Sequence, residues 1–265
     1  MSTLTSGLAT QYSTSEKLAA RARLHRDFTV AECGWFEWVA TRLDLKEGAT
    51  VLDIGCGPGW FWATVAAAMP EQMELTLADL SAGMVKEATE RCGALRKWQV
   101  KGVEADATKL PFADASFDAV VAMHMLYHVP DPAVAIAEMY RVLKPGGQIL
   151  VTTNGAGNIR ELYALTTTLG SDGTEPVGKV FGYEQADRLL RAQFGMAQQY
   201  EHPASLRMTE PDVVFMALTS YPPGDSASEQ QLRSFRAAIE AAFTEGDGVL
   251  ETRKEMAVFT ARRLA

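Results

Sequence analysis

The spacing of apolar and polar residues changes twice along the chain. Before residue 41, apolar and aromatic residues are spread among Arg and Glu at spacings that predict two or three amphipathic helices. These positions include Leu18, Leu24, Phe28, Trp35 and Val39. Tyr12, His25 and Phe28 of this segment are candidates to face a ligand, although aromatic residues at helical spacing also serve packing.

From Thr50 onwards, short apolar runs alternate with stretches of helical period. Strands are predicted over 50–54, 74–78, 97–104, 117–123 and 148–153. Helices are predicted over 60–69, 81–91 and 132–143, with Ser81 and Asp131 as caps and Pro145-Gly146-Gly147 as the stop after the last one. Strands alternating with helices predict a parallel sheet covered by helices on both faces.

After Thr153 this alternation ends. Helices are predicted over 158–169, 183–193, 210–220 and 226–243, an extended segment over 196–208, and a last strand over 249–262. We expect this part to add the final two strands of the same sheet, antiparallel at its end, with helical pieces inserted as a lid. In such a lid, Phe215, Met216 and Phe243 would form an apolar pocket.

Charge and cysteine usage narrow the class of protein. The 265 residues include 25 Lys and Arg against 33 Asp and Glu, and the net charge of -8 disfavours nucleic acid or an anionic membrane as partner. Cys33, Cys56 and Cys92 form no Cys-x-x-Cys pair, which favours a reduced, cytoplasmic protein without a metal. No secretory signal is expected, and the most apolar stretch, 60–69, is about half as long as a membrane span.

The segment from Val51 to Gly59 has the strongest pattern for a ligand site. An apolar run ending in Asp53 and Ile54 is followed by Gly55-Cys56-Gly57-Pro58-Gly59 and then by a predicted helix. Glycines let a turn approach a ligand closely, and a helix start offers unpaired N–H groups. The third glycine of the dinucleotide fingerprint is missing, because bulky Trp60 follows Gly59, and this disfavours a nicotinamide-dependent oxidoreductase.

Two further carboxylates follow the next two predicted strands. Asp79 ends the second strand and Asp106 follows the third. The carboxyl ends of parallel strands open onto the same ligand-binding edge. One carboxylate can accept both hydroxyl hydrogens of a ribose, and another can accept the amino hydrogens of an adenine.

Together these segments resemble the class I S-adenosylmethionine-dependent methyltransferases, in particular the small-molecule "methyltransferase domain 11" type. The resemblance covers residues 48 to 153, with spacings intact. The matching segments are Val51 to Gly59, Ala78-Asp79-Leu80-Ser81, Glu104-Ala105-Asp106-Ala107 with Leu110-Pro111-Phe112, Ser116 to Val120 with Leu126-Tyr127-His128, and Leu143-Lys144-Pro145-Gly146-Gly147.

The resemblance implies a Rossmann-like α/β fold with a seven-stranded, mostly parallel, doubly wound sheet, N-terminal helices and a helical lid from the C-terminal part. It implies S-adenosyl-L-methionine as cofactor, S-adenosyl-L-homocysteine as product, and no metal. The implied cofactor-binding residues are Asp53, Gly55, Cys56, Gly57, Gly59, Asp79, Leu80, Met84, Asp106, Ala107 and His124. Alternatively, Asp53 could hold turn amides, Asp106 could form an Asx turn, and Met84 could be core filler.

Methyl transfer from a sulfonium is a direct displacement with a neutral leaving group, so alignment of the reactants can supply most of the acceleration. A base matters only when the acceptor must lose a proton. His124, His128, Tyr127 and Tyr12 are the candidate catalytic or acceptor-orienting residues. Alternatively, His128 bonds backbone within its loop, and His124 contributes a main-chain contact to the cofactor.

The acceptor is expected to be a small, uncharged or aromatic molecule methylated at oxygen, nitrogen or carbon. Ala122 to His128 departs from the Asn- or Asp-Pro-Pro-Tyr loop of enzymes that methylate nucleic-acid bases. An RNA methyltransferase, a nicotinamide-dependent oxidoreductase and a cofactor-binding protein without catalysis remain the alternatives. We expect a monomer or homodimer with one structural domain: an N-terminal helical lid segment (1–45), a cofactor-binding core (46–155), and the remaining strands with an inserted helical cap (156–265).

Overall fold

The computed structural model describes residues 16–264, with side chains from residue 22 onwards. Its α-helices are α1 Glu16–Phe28, α2 Trp35–Ala40, α3 Trp60–Val65, α4 Ala82–Gly93, α5 Pro132–Val142, α6 Arg160–Leu165, α7 Pro176–Phe181, α8 Tyr183–Phe194, α9 Pro211–Leu218 and α10 Glu229–Glu245. Its strands are β1 Thr29–Val30, β2 Ala49–Ile54, β3 Met73–Asp79, β4 Gln99–Glu104, β5 Phe117–Met123, β6 Leu143–Asn154, β7 Gln198–Glu201, β8 Ser205–Met208, β9 Leu250–Arg253 and β10 Met256–Arg262.

Seven strands form the main sheet in the order β4-β3-β2-β5-β6-β10-β7. The strands from β2 to β6 are parallel, and β10 is antiparallel to both of its neighbours. The predicted Rossmann-like, mostly parallel sheet is therefore confirmed. One detail differs: only β10 is reversed, because β7 pairs antiparallel with β10 and so runs in the direction of the parallel strands.

Residue alternation along the strands explains why helices cover both faces. Leu52 and Val120 belong to a buried cluster with α5 and α8, whereas Val51 and Val121 belong to a second cluster with α2, α3 and α4. Successive side chains of a strand point to opposite faces, so a continuous apolar strand needs cover on both sides. The resulting layers leave the carboxyl ends of the parallel strands as the open edge of the sheet.

A second unit, which we call the cap, consists of α1, α6, α9, α10 and the antiparallel sheet β1-β8-β9. Leu24 of α1, Leu162 of α6, Leu206 of β8, Val214 of α9 and Phe235 of α10 share its buried apolar cluster. The predicted lid was helical only, and the small sheet is an addition. The extended segment 196–208 divides into β7 and β8, and the single strand predicted over 249–262 divides into β9 and β10, because each pair serves two different sheets.

The glycine turn after α5 also differs from the prediction. Pro145-Gly146-Gly147 was expected to separate the helix from the strand, but β6 already begins at Leu143. The register jumps from Phe117 beside Leu143 to Ala119 beside Gln148, so the turn forms an irregularity within the strand pairing. None of the helices in the described part of the chain is long and apolar enough to cross a membrane.

Candidate active site

A cavity of about 2310 Å³ lies between the cap and the carboxyl ends of the sheet strands. It brings together most of the predicted site residues. Its lining includes Asp53, Gly55, Cys56, Gly57, Asp79, Leu80, Met84, Asp106, Ala107, His124, Tyr127 and His128. Gly59 does not line the cavity. A side chain at Gly59 would meet the Cα of Ala88 at 3.0 Å, so this glycine permits the close packing of the turn against α4.

The turn between β2 and α3 depends on left-handed glycines. Gly55 has a φ of 71° and Gly57 a φ of 52°, a region that other residues rarely adopt. The amide groups of Gly55 and Cys56 both donate to the carbonyl of Ala78, at 2.8 and 3.0 Å. These bonds tie the turn to the end of β3. A Cβ atom on Gly55 would lie 2.6 Å from the Cβ of Met125, so the turn has no room for a side chain there.

Asp53 is buried at the end of β2, with 2 % of its surface exposed. The indole N–H of Trp62 donates to Asp53 Oδ2 at 2.8 Å, whereas Asp53 Oδ1 has no hydrogen-bond partner among the described residues. Burial raises the pKa of Asp53 to about 7, the Trp62 bond opposes this rise, and the charge of Asp79 adds to it. Asp53 therefore does not hold the turn amides, and one of its oxygens lacks a donor at the cavity wall.

Asp79 holds the glycine turn and the start of α4 at once. Its Oδ2 accepts from the amide of Gly57 at 3.0 Å, and its Oδ1 accepts from the amide of Ser81 at 2.9 Å. Burial raises its pKa, while backbone N–H bonds from Ser81 and Gly57 oppose the rise. Ser81 caps α4, as predicted, by accepting from the amide of Met84. Leu80, between them, is 64 % exposed and offers an apolar surface beside the carboxylate.

Asp106 lies on the exposed side of the cavity and forms the Asx turn that was the alternative to a cofactor contact. Its Oδ1 accepts from the amide of Thr108 at 2.8 Å and from the Thr108 hydroxyl at 2.7 Å. Arg141 of α5 fixes the segment that follows, donating to the carbonyls of Leu110 and Phe112 at 3.0 and 2.8 Å. Met84 and Ala107 are buried at the cavity wall, so Met84 belongs to the core and also borders the cavity.

His124, directly after β5, has a strained backbone with a φ of 50°. Its amide donates to the carbonyl and the hydroxyl of Thr152 at 3.2 and 3.0 Å. Its ring lies 5.5 Å from that of Trp35, and its buried Nε2 has no partner among the described residues. Burial, followed by the charge of Lys254, lowers the pKa of His124 to about 4. The imidazole is thus neutral at pH 7 and a weak base.

The other catalytic candidates divide by position. Tyr127 and His128 lie in a short 3₁₀ helix at the cavity wall, with ring centroids 4.5 Å apart. Tyr12 lies outside the described residues. His25 lines the cavity, whereas Phe28 is buried in the cap. The pocket predicted from Phe215, Met216 and Phe243 was wrong: the cavity is lined by Ala217 and Leu218 of α9 and by Tyr221 instead.

Several polar residues of the cavity wall had no sequence signal. Lys254 is 3 % exposed in the link between β9 and β10, and Glu175 is 2 % exposed at the start of α7. Glu175 accepts from Asn154 Nδ2 at 3.2 Å, and burial raises its pKa to about 7. Tyr163 is buried beside the hydroxyl of Tyr221, 3.3 Å away. All five lie in the C-terminal part of the chain, where no motif marks them.

No metal-binding group of three or more His, Cys, Asp or Glu side chains occurs among the residues 22–264 whose side chains are described. Polar atoms of the carboxylate side of the cavity instead suit an organic ligand. An amino-acid-bearing nucleoside, which the sequence predicted, fits three features of the cavity. They are a buried carboxylate oxygen with no donor among the described residues, a second carboxylate beside an exposed leucine, and a glycine turn open to the cavity.

Comparisons with known proteins agree with this geometry. Residues 52–151 match the family model described as "Methyltransferase domain". A demethylmenaquinone methyltransferase of Staphylococcus aureus is 34% identical over 134 residues, which cover 49% of this chain and 55% of the relative. The chain spans about half the length of the curated relatives it matches.

Solved structures match over a larger part of the chain. A protein of Bacillus halodurans C-125 has a TM-score of 0.62 at 19% identity, covering 87% of this chain and 99% of that one. Phosphoethanolamine N-methyltransferase 2 of Haemonchus contortus, solved with phosphomonomethylethanolamine and S-adenosylhomocysteine, has a TM-score of 0.61 at 20% identity over 99% of this chain and 60% of that one. Residues 52–151 of this chain are therefore similar to a methyltransferase domain, and the sheet has the fold of these solved structures.

Proposed function

We propose that the protein transfers the methyl group of S-adenosylmethionine to a small-molecule acceptor at oxygen, nitrogen or carbon. The observation that carries the proposal is the continuity of one cavity, which extends from the glycine turn and Asp79 to the aromatic recess around Trp35 and His124. A cofactor held at the turn and an acceptor held in the recess would share this space. The bound cofactor would supply an electrophilic methyl group on a positively charged sulfur.

In this proposal, residues at the carboxyl ends of different strands contact different parts of the cofactor. Asp79 accepts the ribose hydroxyls, and exposed Leu80 packs on the adenine. Asp106, with Ala107, lies towards the adenine amino group. Asp53 Oδ1, which has no donor within the described part of the chain, pairs with the cofactor ammonium, and Gly55, Cys56 and Gly57 border its amino-acid end.

Alignment is the main catalytic effect that we expect. His124 is a poor general base, because its pKa of about 4 leaves the ring neutral and weakly basic. Tyr127 and His128 can instead orient the acceptor from the cavity wall. The strained backbone of His124, anchored on Thr152, fixes the floor on which the acceptor would lie.

The first experiment is calorimetric titration of the protein with S-adenosylhomocysteine. We expect a low-micromolar dissociation constant, which is about 8 kcal/mol. Asp79→Asn keeps the shape of the side chain but removes its charge, and should weaken binding roughly tenfold to a hundredfold. His128→Ala, on the acceptor side, is the matched control and should change the affinity less than roughly twofold. Absence of binding, or equal losses in both variants, would contradict the proposal.

The salt dependence of acceptor binding tests the alternative that the acceptor is RNA. The net charge of -8 gives little electrostatic attraction to phosphates. Affinity for a small acceptor should be nearly independent of salt between 50 and 200 mM, whereas RNA affinity should fall by orders of magnitude over roughly that range. A steep salt dependence of productive binding would favour the RNA reading.

A further inference from the structure

We propose that Lys254 is the acceptor-binding cation, and that the recess formed with Trp35 and His124 takes a planar acceptor carrying an anionic oxygen. This inference rests on the proposed methyl transfer and names the substrate class of the same site. The chemistry that the recess recognises is an ionised phenol, enol or carboxylate on a flat ring.

Lys254 is an unusual residue for the interior of this protein. Only 3 % of it is exposed, and it lines the cavity. Its Nζ donates to the hydroxyl of Thr29 at 3.0 Å, and no carboxylate forms an ion pair with it within the described part of the chain. An ammonium carries three hydrogens, and a buried charge without a counter-charge is costly. The side chain is therefore poised for an anion that enters through the cavity.

Trp35, His124 and His202, which lie around Lys254, each have a buried ring nitrogen without a hydrogen-bond partner among the described residues. Trp35 Nε1, an N–H donor at the cavity wall, is buried without an acceptor among the described residues. His202 lies behind Trp35, with ring centroids 5.5 Å apart, and its Nε2 donates to the carbonyl of Cys33 at 3.0 Å. That bond places a hydrogen on Nε2 and favours the charged ring, but burial outweighs it and lowers the pKa of His202. The recess thus presents the Lys254 cation and the indole N–H of Trp35 to an electron-rich oxygen, beside the Nε2 of His124, which has no partner among the described residues.

Strand order explains why Lys254 lies beside the reacting end of the cavity. β10 runs antiparallel to β6, with Met256 paired to Asn154 at the carboxyl end of β6. The residues just before β10 therefore lie at the edge where His124 bonds Thr152. The positive charge of Lys254 also lowers the pKa of both His124 and His202, after the larger effect of burial.

The flat rings of Trp35 and His124, 5.5 Å apart and tilted by 47°, give the recess its shape. Such walls favour a planar, aromatic occupant over a flexible chain. Lys254 would bind the oxygen of this occupant as the anion, and the hydroxyl proton would leave to solvent on binding. The acceptor would then attack the methyl carbon while the carbon–sulfur bond breaks and sulfur keeps its electron pair. A strong side-chain base is not required for this step.

The test uses the full chain saturated with S-adenosylhomocysteine and three probes of matched size. Para-nitrophenol can ionise and changes its visible absorbance when it does, para-nitroanisole cannot ionise, and para-nitrobenzoate carries a carboxylate. Binding is measured by absorbance and calorimetry for the wild type, Lys254→Met and Lys254→Arg. Lys101→Met, at an exposed position on the edge strand β4, is the control for loss of one lysine charge.

We expect the wild type and Lys101→Met to bind para-nitrophenol in its ionised form. Lys254→Met should weaken this binding roughly tenfold or more, and Lys254→Arg should restore part of it. Para-nitroanisole should bind the wild type and Lys254→Met equally weakly. Tighter binding of para-nitrobenzoate than of para-nitrophenol would support the cation site and identify a carboxylate as the anionic group.

Three outcomes would overturn the inference: no probe binds the wild type, Lys254→Met binds para-nitrophenol as tightly as the wild type, or the uncharged ether binds as well as the phenol. Affinity for S-adenosylhomocysteine separates the two proposals. If that affinity is intact in every variant while the probes fail, the acceptor inference alone is wrong. If S-adenosylhomocysteine does not bind the wild type, the proposed methyl transfer fails first.

Discussion

At the scale of single residues, Asp53 shows how burial changes the protonation of a side chain. One of its oxygens is satisfied by the indole of Trp62, and the other has no donor among the described residues. Burial has raised its pKa to about 7, so much of the empty protein carries a neutral Asp53 at slightly acidic pH. An ammonium ion arriving at Oδ1 would favour the ionised form.

Cofactor binding should therefore depend on pH. Below pH 7, Asp53 must release a proton before it can pair with the ammonium, so the affinity for S-adenosylhomocysteine should rise by up to roughly tenfold per pH unit and level off above pH 7. Titration calorimetry between about pH 5.5 and 8.5, in two buffers that differ in ionisation enthalpy, measures both the affinity and the protons released.

Two variants assign this pH dependence to Asp53. Asp53→Asn should flatten the profile, because the amide does not ionise. Trp62→Phe removes the bond that opposes the raised pKa, so the midpoint should move to higher pH. A profile that is unchanged in Asp53→Asn would assign the dependence to another group and contradict the role of this carboxylate.

At the scale of elements, the turn between β2 and α3 combines backbone strain with tight packing. Gly55→Ala places a side chain at a φ of 71° and 2.6 Å from the Cβ of Met125. We expect the free energy of unfolding to fall by roughly 2–4 kcal/mol, measured by denaturant titration. Gly48→Ala is the matched control: its φ is 78°, but nothing lies within 4 Å of the new Cβ, so the loss should be about 1 kcal/mol. Equal losses would mean that the contact with Met125 adds nothing.

Elements between residues 49 and 154 were predictable because each carries its own signal. Apolar runs, the caps Ser81 and Asp131 and the glycine turn are local features, and the carboxyl-end rule then places Asp53, Asp79 and Asp106 on one edge. The cap was harder to predict. β1 and β9 are short, and both pair only with β8, from distant parts of the chain, so no local periodicity marks their sheet.

The acceptor side of the cavity was unpredictable for a different reason. Lys254 lies in a stretch that reads Thr252-Arg253-Lys254-Glu255, which is typical of an exposed, charged segment. Only its position between two sheets buries it. The strained backbone of His124 likewise depends on the contact with Thr152 in the next strand, which the sequence around His124 does not reveal.

At the scale of the whole molecule, burial of the charged Lys254 side chain lowers the stability of the folded protein. Moving the pKa of a lysine from 10.5 to about 8 corresponds to about 3 kcal/mol of lost stability at neutral pH. Lys254→Met keeps an unbranched apolar side chain without the charge. We therefore expect the variant, without ligands, to unfold at higher denaturant concentration than the wild type at pH 7, by on the order of 1–3 kcal/mol.

The difference in stability between the wild type and Lys254→Met should also shrink as the pH rises. Between about pH 8 and 10.5, Lys254 keeps its proton in the unfolded chain and loses it in the folded protein, so the wild type gains stability relative to the variant as pH rises. His124 lines the recess and His202 lies behind Trp35, but the pKa of each lies below 6.5, outside this window. A constant difference across the window, or a less stable variant at pH 7, would contradict an uncompensated charge on Lys254.

The strands of the small cap sheet come from distant parts of the chain, and this limits how the choice of acceptor could be altered. Its three strands come from residues 29–30, 205–208 and 250–253, whereas the five parallel strands of the core occupy the unbroken stretch 49–154. A chimaera that exchanges this stretch between relatives would carry over the nucleoside-binding half as a single cassette. The half that we propose to bind the acceptor cannot be moved as one segment, because the strands of the cap sheet would need three separate grafts that fit one another.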